Sequence, residues 1–265
     1  MNRIEFIGAS GVGKTTLFNM ILAKRIENDR WLTPEEARVR IIRSMNPGSI
    51  KISRQSIKAF LLNKKIFTSK HINWSISILK KYEEEIFDSC LSDYNPLIDL
   101  LISDLANDAQ LEAKMKTRII QYYMGILMWD VVILDFFNIN DVIIYHDGII
   151  HNNKGTCNYK YYLEKVCSKP SIRKRINPVG IVYCKISLDD NFNNRKQRIA
   201  EGKGTFIERA LNDKELLCSC RQELILAESQ ANVMEKVGIP SIKVDMSLNN
   251  SKNAKQILQF INYLQ

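Results

Sequence analysis

The chain has 265 residues, 45% of them hydrophobic and 25% charged, which is the balance of a folded domain with a sizeable core and excludes a disordered chain. Lys and Arg number 38 against 29 Asp and Glu, a formal charge of +9 that favours anionic partners such as nucleotides, phosphorylated compounds or nucleic acid. The six cysteines form no CxxC pair and no histidine stands at zinc-finger spacing, so free thiols are expected; Cys218 and Cys220, two apart in a helical run, point to different faces. The basic residues are dispersed, with clusters at Lys64 and Lys65, Lys80 and Lys81, Arg173 to Arg175 and Arg195 to Arg198, each readable as solvated surface or as an anion-binding face.

In chain order, Asn2 to Ile7 read as a short buried strand, and Thr15 to Ile26 follow with Leu17, Ile21 and Leu22 at helical spacing. Thr33, Pro34, Glu35 and Glu36 have the form of a helix start, with Thr as N-cap, Pro in the first position and Glu in the third, and the helix is expected to reach about Met45. From Ser49 to Phe137 there is helical patterning alone, punctuated at Asp88 to Pro96 and at Asn107 to Gln110. Its last member places Leu111, Met115, Ile119, Tyr122, Ile126, Trp129, Ile133 and Phe136 on one apolar face, read as core packing. Asp130 and Asp135 interrupt the apolar run from Ile119 to Phe137, so a buried helix is expected and no membrane partner. With no leader pattern at Met1, the expected setting is cytoplasmic, that of the host cell if the chain is of phage origin.

Short β-rich runs resume at Asp141 to Tyr145, Val179 to Cys184 and Ile239 to Val244, with helices at Asp190 to Ala200, Asp213 to Val237 and Ser251 to Leu264. The fold class is therefore α/β, a doubly wound parallel sheet with a large helical insertion, and the run Gly8 to Thr15, a G-x-x-x-x-G-K-[ST] pattern, makes it of P-loop NTPase type. One domain over residues 1–265 is expected, with the insertion at about 49–137 and a lid-like segment at about 195–212.

Gly8-Ala9-Ser10-Gly11-Val12-Gly13-Lys14-Thr15 satisfies the pattern G-x-x-x-x-G-K-[ST] between a strand and a helix. Its fixed positions would coincide by chance in such a chain about once in a hundred. Glycines let successive N–H groups converge on phosphate oxygens, and the following helix adds its positive N-terminus. Lys14 is expected to bridge the β- and γ-phosphates, Thr15 to offer its hydroxyl to Mg²⁺, and Thr16 to support the α-phosphate. Asp147, after the apolar run Val142 to Tyr145 and before Gly148, is either a turn residue or a carboxylate facing Mg²⁺, a metal-bound water or an acceptor hydroxyl. His146 and His151 flank it and either bond a substrate or only build the turn.

On these residues the chain resembles the thymidylate kinase-like branch of P-loop nucleoside and nucleotide kinases. The resemblance is carried by the loop Gly8 to Thr16, by Asp147-Gly148, and by Val182 to Asp189 with Arg195, Arg198, Gly202, Phe206-Ile207-Glu208 and Lys243-Val244-Asp245. It covers about Asn2 to Ile26 and Asp141 to Leu264 in outline, and it implies an ATP- and Mg²⁺-dependent kinase. Lys14, Asp147, Arg195 and Arg198 would be its catalytic groups, with Lys203 a further lid cation. The implied acceptor is nucleotide-like, a free nucleotide or nucleoside or a modified base in DNA, with a sugar as the alternative. Gly148 stands where thymidylate kinases carry arginine, Glu201 where a basic residue is expected, and Phe206 in place of a lid arginine. These departures point away from thymidylate itself.

Two other classes compete. A GTPase switch would carry Asn-Lys-x-Asp, but Asn153-Lys154-Gly155-Thr156 lacks the acid, and Tyr145-His146-Asp147-Gly148 has one acid where an ATPase motor has two. A nucleic-acid-binding protein would use the +9 charge, yet no DNA-binding motif accompanies it. Oligomeric state is not legible.

Overall fold

The computed structural model describes residues 2–26, 30–44, 75–109 and 111–265, and in these all but the side chains of residues 43, 206 and 207. The start of the expected insertion, with Lys64 and Lys65, and the residues Met45 and Gln110 lie outside the described residues, as does the side chain of Phe206. Five parallel strands, β1 (Asn2–Ile7), β2 (Trp31–Leu32), β3 (Val142–Tyr145), β4 (Gly180–Lys185) and β5 (Ser241–Asp245), lie in the order β2-β3-β1-β4-β5. This is the open α/β sheet of the P-loop NTPase type, and the order reverses direction around β1.

β1 alternates strictly. Ile4 and Phe6 face one layer, where Leu17, Phe18 and Ile21 of α1 (Lys14–Lys24) and Ile257 and Ile261 of α11 (Asn250–Tyr263) complete the core. Ile7 faces the other layer, built from α2 (Pro34–Ser44), α4 (Asn95–Asn107), α5 (Ala113–Phe136) and α10 (Asp213–Lys236). Arg3 and Glu5 sit on that same buried face, fully shielded from solvent, and their ion pair at 2.6 Å is sustained because every charge finds further partners. Arg3 donates to the carbonyls of Arg175 (2.8 Å) and Ile176, at the end of α7 (Pro170–Ile176), while Glu5 Oε2 accepts the N–H of Ile150 at 2.8 Å.

The expected helix start at Thr33 is a complete capping box: Glu36 N–H donates to Thr33 Oγ1 (3.2 Å) and Thr33 N–H to Glu36 Oε2 (3.0 Å). Between β2 and β3 the described residues are helical, α3 (Glu83–Ser89), α4 and α5 being the main pieces. α5 is long and apolar enough by length and composition to cross a membrane, and Leu127, Val131, Val132, Ile133 and Leu134 in its second half are wholly shielded within the core. A π turn at Leu127–Val132 releases carbonyls from the helical ladder. Arg38 bonds that of Trp129 at 3.0 Å, and Tyr145 that of Asp130.

Two helices unforeseen in the sequence, α6 (Tyr159–Lys165) and α7, link β3 to β4, and β2 was not foreseen as a strand. α8 (Leu188–Ala200), α9 (Phe206–Ala210) and α10 follow β4, α9 and α10 each opening on a capping box. Cys220 is buried and Cys218 exposed, and all six cysteines are free.

Candidate active site

A cleft of about 1230 Å³ opens at the C-terminal ends of β1, β3 and β4, the position that ligands take in open α/β sheets. Residues Ala9 to Thr16 form its floor; Asp147, Arg195, Arg198 and Lys203 all line it. The sequence-predicted groups therefore meet in one space although they span some 190 positions of chain.

The floor has the geometry that its glycines require. Gly11 and Gly13 have φ of 76° and 98°, the left-handed region that a side chain disfavours, and a Cβ on Gly8 would lie 2.8 Å from the Cys184 carbonyl of β4. α1 starts at Lys14 with no acidic residue in its first turn and no side-chain cap, so its positive end faces the cleft uncompensated by its own residues. Lys14 folds back to donate to the carbonyls of Gly8 (2.5 Å) and Ala9 (3.2 Å). Burial lowers its pKa against the attraction of Cys184, Asp147 and Glu223. Thr15 and Thr16 are exposed in the same first turn.

One wall belongs to the strand end after β3. Register pairs Glu5 with Tyr145, which brings Asp147 level with the start of the phosphate loop on the adjacent strand. Asp147 accepts from the Tyr122 hydroxyl of α5 and from Asn152 Nδ2 at 2.7 Å. Burial pushes its pKa up, but these two hydrogen bonds, with Lys14 nearby, outweigh it and hold the carboxyl below its ordinary value, ionised. His151 is pressed to about 3 by burial and by Lys14, so it stays neutral. His146, lowered by burial, stacks on Phe18 of α1 with ring centroids 4.7 Å apart. The turn behind these groups is pinned by Glu5 at Ile150 N–H and by Gln230 of α10, which donates to the carbonyls of Ile150 (2.7 Å) and Asn153 (3.1 Å).

Gly148 has a local cause: a Cβ there would lie 2.2 Å from Glu5 Oε2. The buried Arg3–Glu5 pair leaves no room for the arginine that thymidylate kinases carry at this point.

The opposite wall belongs to the helices after β4. Asn191 and Asn194 of α8 donate to the carbonyls of Ser10 (2.8 Å) and Gly11 (3.2 Å), clamping the loop from above. Arg195 and Arg198 separate here. Arg195 is 2% exposed; its Nε lies 2.9 Å from Glu208 Oε1, and its Nη1 bonds Glu223 at 3.1 Å and Ser219 at 3.3 Å. Arg198 is 34% exposed, donates to Ser10 Oγ at 3.3 Å and pairs loosely with Glu208 Oε1 at 3.9 Å, so of the two arginines it is the one open to the cleft. Lys203, more exposed still, pairs with Glu201 at 2.8 Å.

Tyr122 corrects the sequence reading. It was expected within the apolar core face of α5, but it is 54% exposed and reaches Asp147, because α5 is rotated so that Tyr123, one residue on, takes the interior position. Helical spacing fixes a stripe; it does not fix which of two adjacent tyrosines lies at its centre. Glu208, Ser219 and Glu223 were not singled out as site residues. The capping boxes Thr205–Glu208 and Asn212–Glu215, and Glu208's place in the Phe206-Ile207-Glu208 run, were the local signals near them.

No protein-family model and no curated protein matches the chain. Among solved structures, deoxyadenosine kinase from M. mycoides with bound dCTP overlaps at a TM-score of 0.42 and 13% identity, covering 98% of this chain and 99% of that one. The same enzyme with bound dATP gives 0.38 and 13% over 98% and 99%. These overlaps are loose, and the class, an α/β protein of P-loop NTPase type, is defined by the strand order and the phosphate loop themselves.

Proposed function

We propose that the protein is a kinase that transfers the terminal phosphoryl group of ATP to a hydroxyl of a neutral, nucleoside-like acceptor. The observation that carries this reading is the convergence in one cleft of the phosphate loop with Lys14, the lid cation Arg198 and, across from them, the ionised Asp147 carboxylate. Phosphoryl transfer asks for little else: a cradle for the donor, positive charge for the transferring group, and a carboxylate to accept the acceptor's proton. Lys14 and Arg198 neutralise charge on the transferring phosphoryl group, Asp147 takes the hydroxyl proton, and Arg195 stiffens the loop from behind.

The charge distribution supports a neutral acceptor. The cations bordering the cleft, Lys14, Arg195, Arg198 and Lys203, belong to the loop and lid, whereas Tyr122, His146, Asp147, His151 and Asn152 form the other wall. Among the described residues a monophosphate on that side would meet Asp147 rather than an arginine.

Mg²⁺ fits the residues present. Thr15 exposes its hydroxyl in the first turn of α1 and Asp147 is ionised; no group of three or more His, Cys, Asp or Glu among the described residues could hold a metal by itself. That donor set suits an ion held jointly with nucleotide phosphates and water, and when bound it neutralises phosphate charge.

The test is incubation with ATP labelled in the γ-phosphate against deoxynucleosides, deoxynucleoside monophosphates, sugars and hydroxymethyl-base DNA. Label should move to a neutral nucleoside. Release of inorganic phosphate alone with every acceptor overturns the kinase reading, and transfer to monophosphates or DNA in preference overturns the acceptor class.

A further inference from the structure

In the phosphate loop a carboxylate takes an amide that phosphate could use. The Ser10 N–H donates to Glu223 Oε2 at 2.8 Å, and the Ser10 hydroxyl donates to Glu208 Oε1 at 3.1 Å. Glu223 arrives from α10, more than two hundred residues along the chain, and is aimed by its other oxygen, which bonds Arg195 (3.1 Å) and Ser219 (3.3 Å). Consecutive loop amides and the uncapped start of α1 make a concavity that attracts anions. The first turn of α1 supplies no acid of its own, so the anion that meets this field comes from the lid side.

We propose that Glu223 is a positioning residue of the donor site, on the reading that this loop binds a triphosphate. Its carboxylate holds the loop and the buried Arg195 in place, then yields the Ser10 N–H to the donor. Two consequences follow for donor affinity. Phosphate must displace, and then lie beside, a group of its own charge. Arg195 is also divided between two carboxylates, Glu208 and Glu223, so little of its positive charge reaches the cleft. Both effects weaken donor binding while the same contacts stabilise the empty protein.

Glu223→Gln separates these effects because it keeps the side-chain shape and removes the charge. The measurements are ADP affinity by titration calorimetry and the unfolding temperature without nucleotide. The variant should bind ADP about five- to tenfold more tightly, by relief of like-charge repulsion, yet unfold at a lower temperature. A residue with only a structural role would lose on both counts. Glu223→Asp keeps a charge opposite Arg195 but draws it one methylene away from Ser10, and a smaller gain in affinity is expected; should Glu223→Gln not fold, this variant decides. Equal or weaker ADP binding by a folded variant overturns the inference. Absence of ADP binding by the unaltered protein and both variants overturns the donor-site reading beneath it.

Discussion

The two walls of the cleft are built on different principles. The wall after β4 is charged and redundant: Asn191, Asn194, Arg198, Glu208 and Glu223 all converge on Ser10 and Gly11 from three successive helices. The wall after β3 has one ionised carboxylate, fixed by a tyrosine and an asparagine, on a turn held from behind by the buried side chains of Glu5 and Gln230. The first wall grips the loop through many separate side chains, so no single contact carries it. The second is rigid because its supports are buried polar bonds that cannot be exchanged for water. On the proposed kinase reading, the wall that grips the loop handles the donor and the fixed wall aligns the acceptor hydroxyl.

The largest effect expected on that contrast comes from Lys14→Ala on the donor side. Turnover should fall by about a thousandfold while the unfolding temperature stays nearly unchanged, since Lys14 bonds only loop carbonyls. Turnover equal to that of the unaltered protein would remove Lys14 from the chemistry. Asp147→Asn probes the other wall. It should cut turnover by about a hundredfold or more and leave ADP affinity, measured without Mg²⁺, within about twofold, the two being read by steady-state kinetics and calorimetry. A large loss of ADP affinity would place Asp147 on the donor instead.

Gly148→Ala tests the rigidity of the second wall without touching a reacting group. Its Cβ would lie within van der Waals distance of Glu5 Oε2, Cδ and Cγ, atoms that are buried and cannot withdraw. A loss of about 2–3 kcal/mol in denaturant unfolding is expected. A variant as stable as the parent would show that the Glu5 support is soft.

The smallest effect concerns His151. In the folded protein its pKa lies at about 3, against 6.5 for the free side chain, so the unfolded chain binds a proton as pH falls through 6.5 while the folded chain does not. Stability is therefore whole above about pH 6.5 and declines toward pH 3. His151→Asn should remove roughly 1–2 kcal/mol of the loss seen by pH 5. Identical acid unfolding profiles for the two proteins would show that His151 is already hydrated and titrates normally.

The wall with the phosphate loop was legible where its residues are local in sequence. The loop, the strand before it, the helix after it and the lid arginines are encoded in short runs, and β1 was read to the residue. Burial was not legible: Arg195 and Arg198 stand three apart on one helix, yet one is enclosed between carboxylates and the other is partly exposed at the cleft, with a single loose carboxylate partner. The wall after β3 was read at Asp147, which a strand end betrays, and at the flanking His146 and His151. Tyr122 looked like core because its period is that of the core, and Glu223 is 213 positions from the amide that it meets. β2 went unread because two residues, Trp31 and Leu32, are too few to show a period.

A crystal structure with Mg²⁺ and a non-hydrolysable ATP analogue tests the division of labour most directly. The terminal phosphate should lie between Lys14 and Arg198, facing Asp147 across the cleft, with the Asp147 turn unmoved. A nucleotide bound outside the loop, or a terminal phosphate turned away from Asp147, would contradict it.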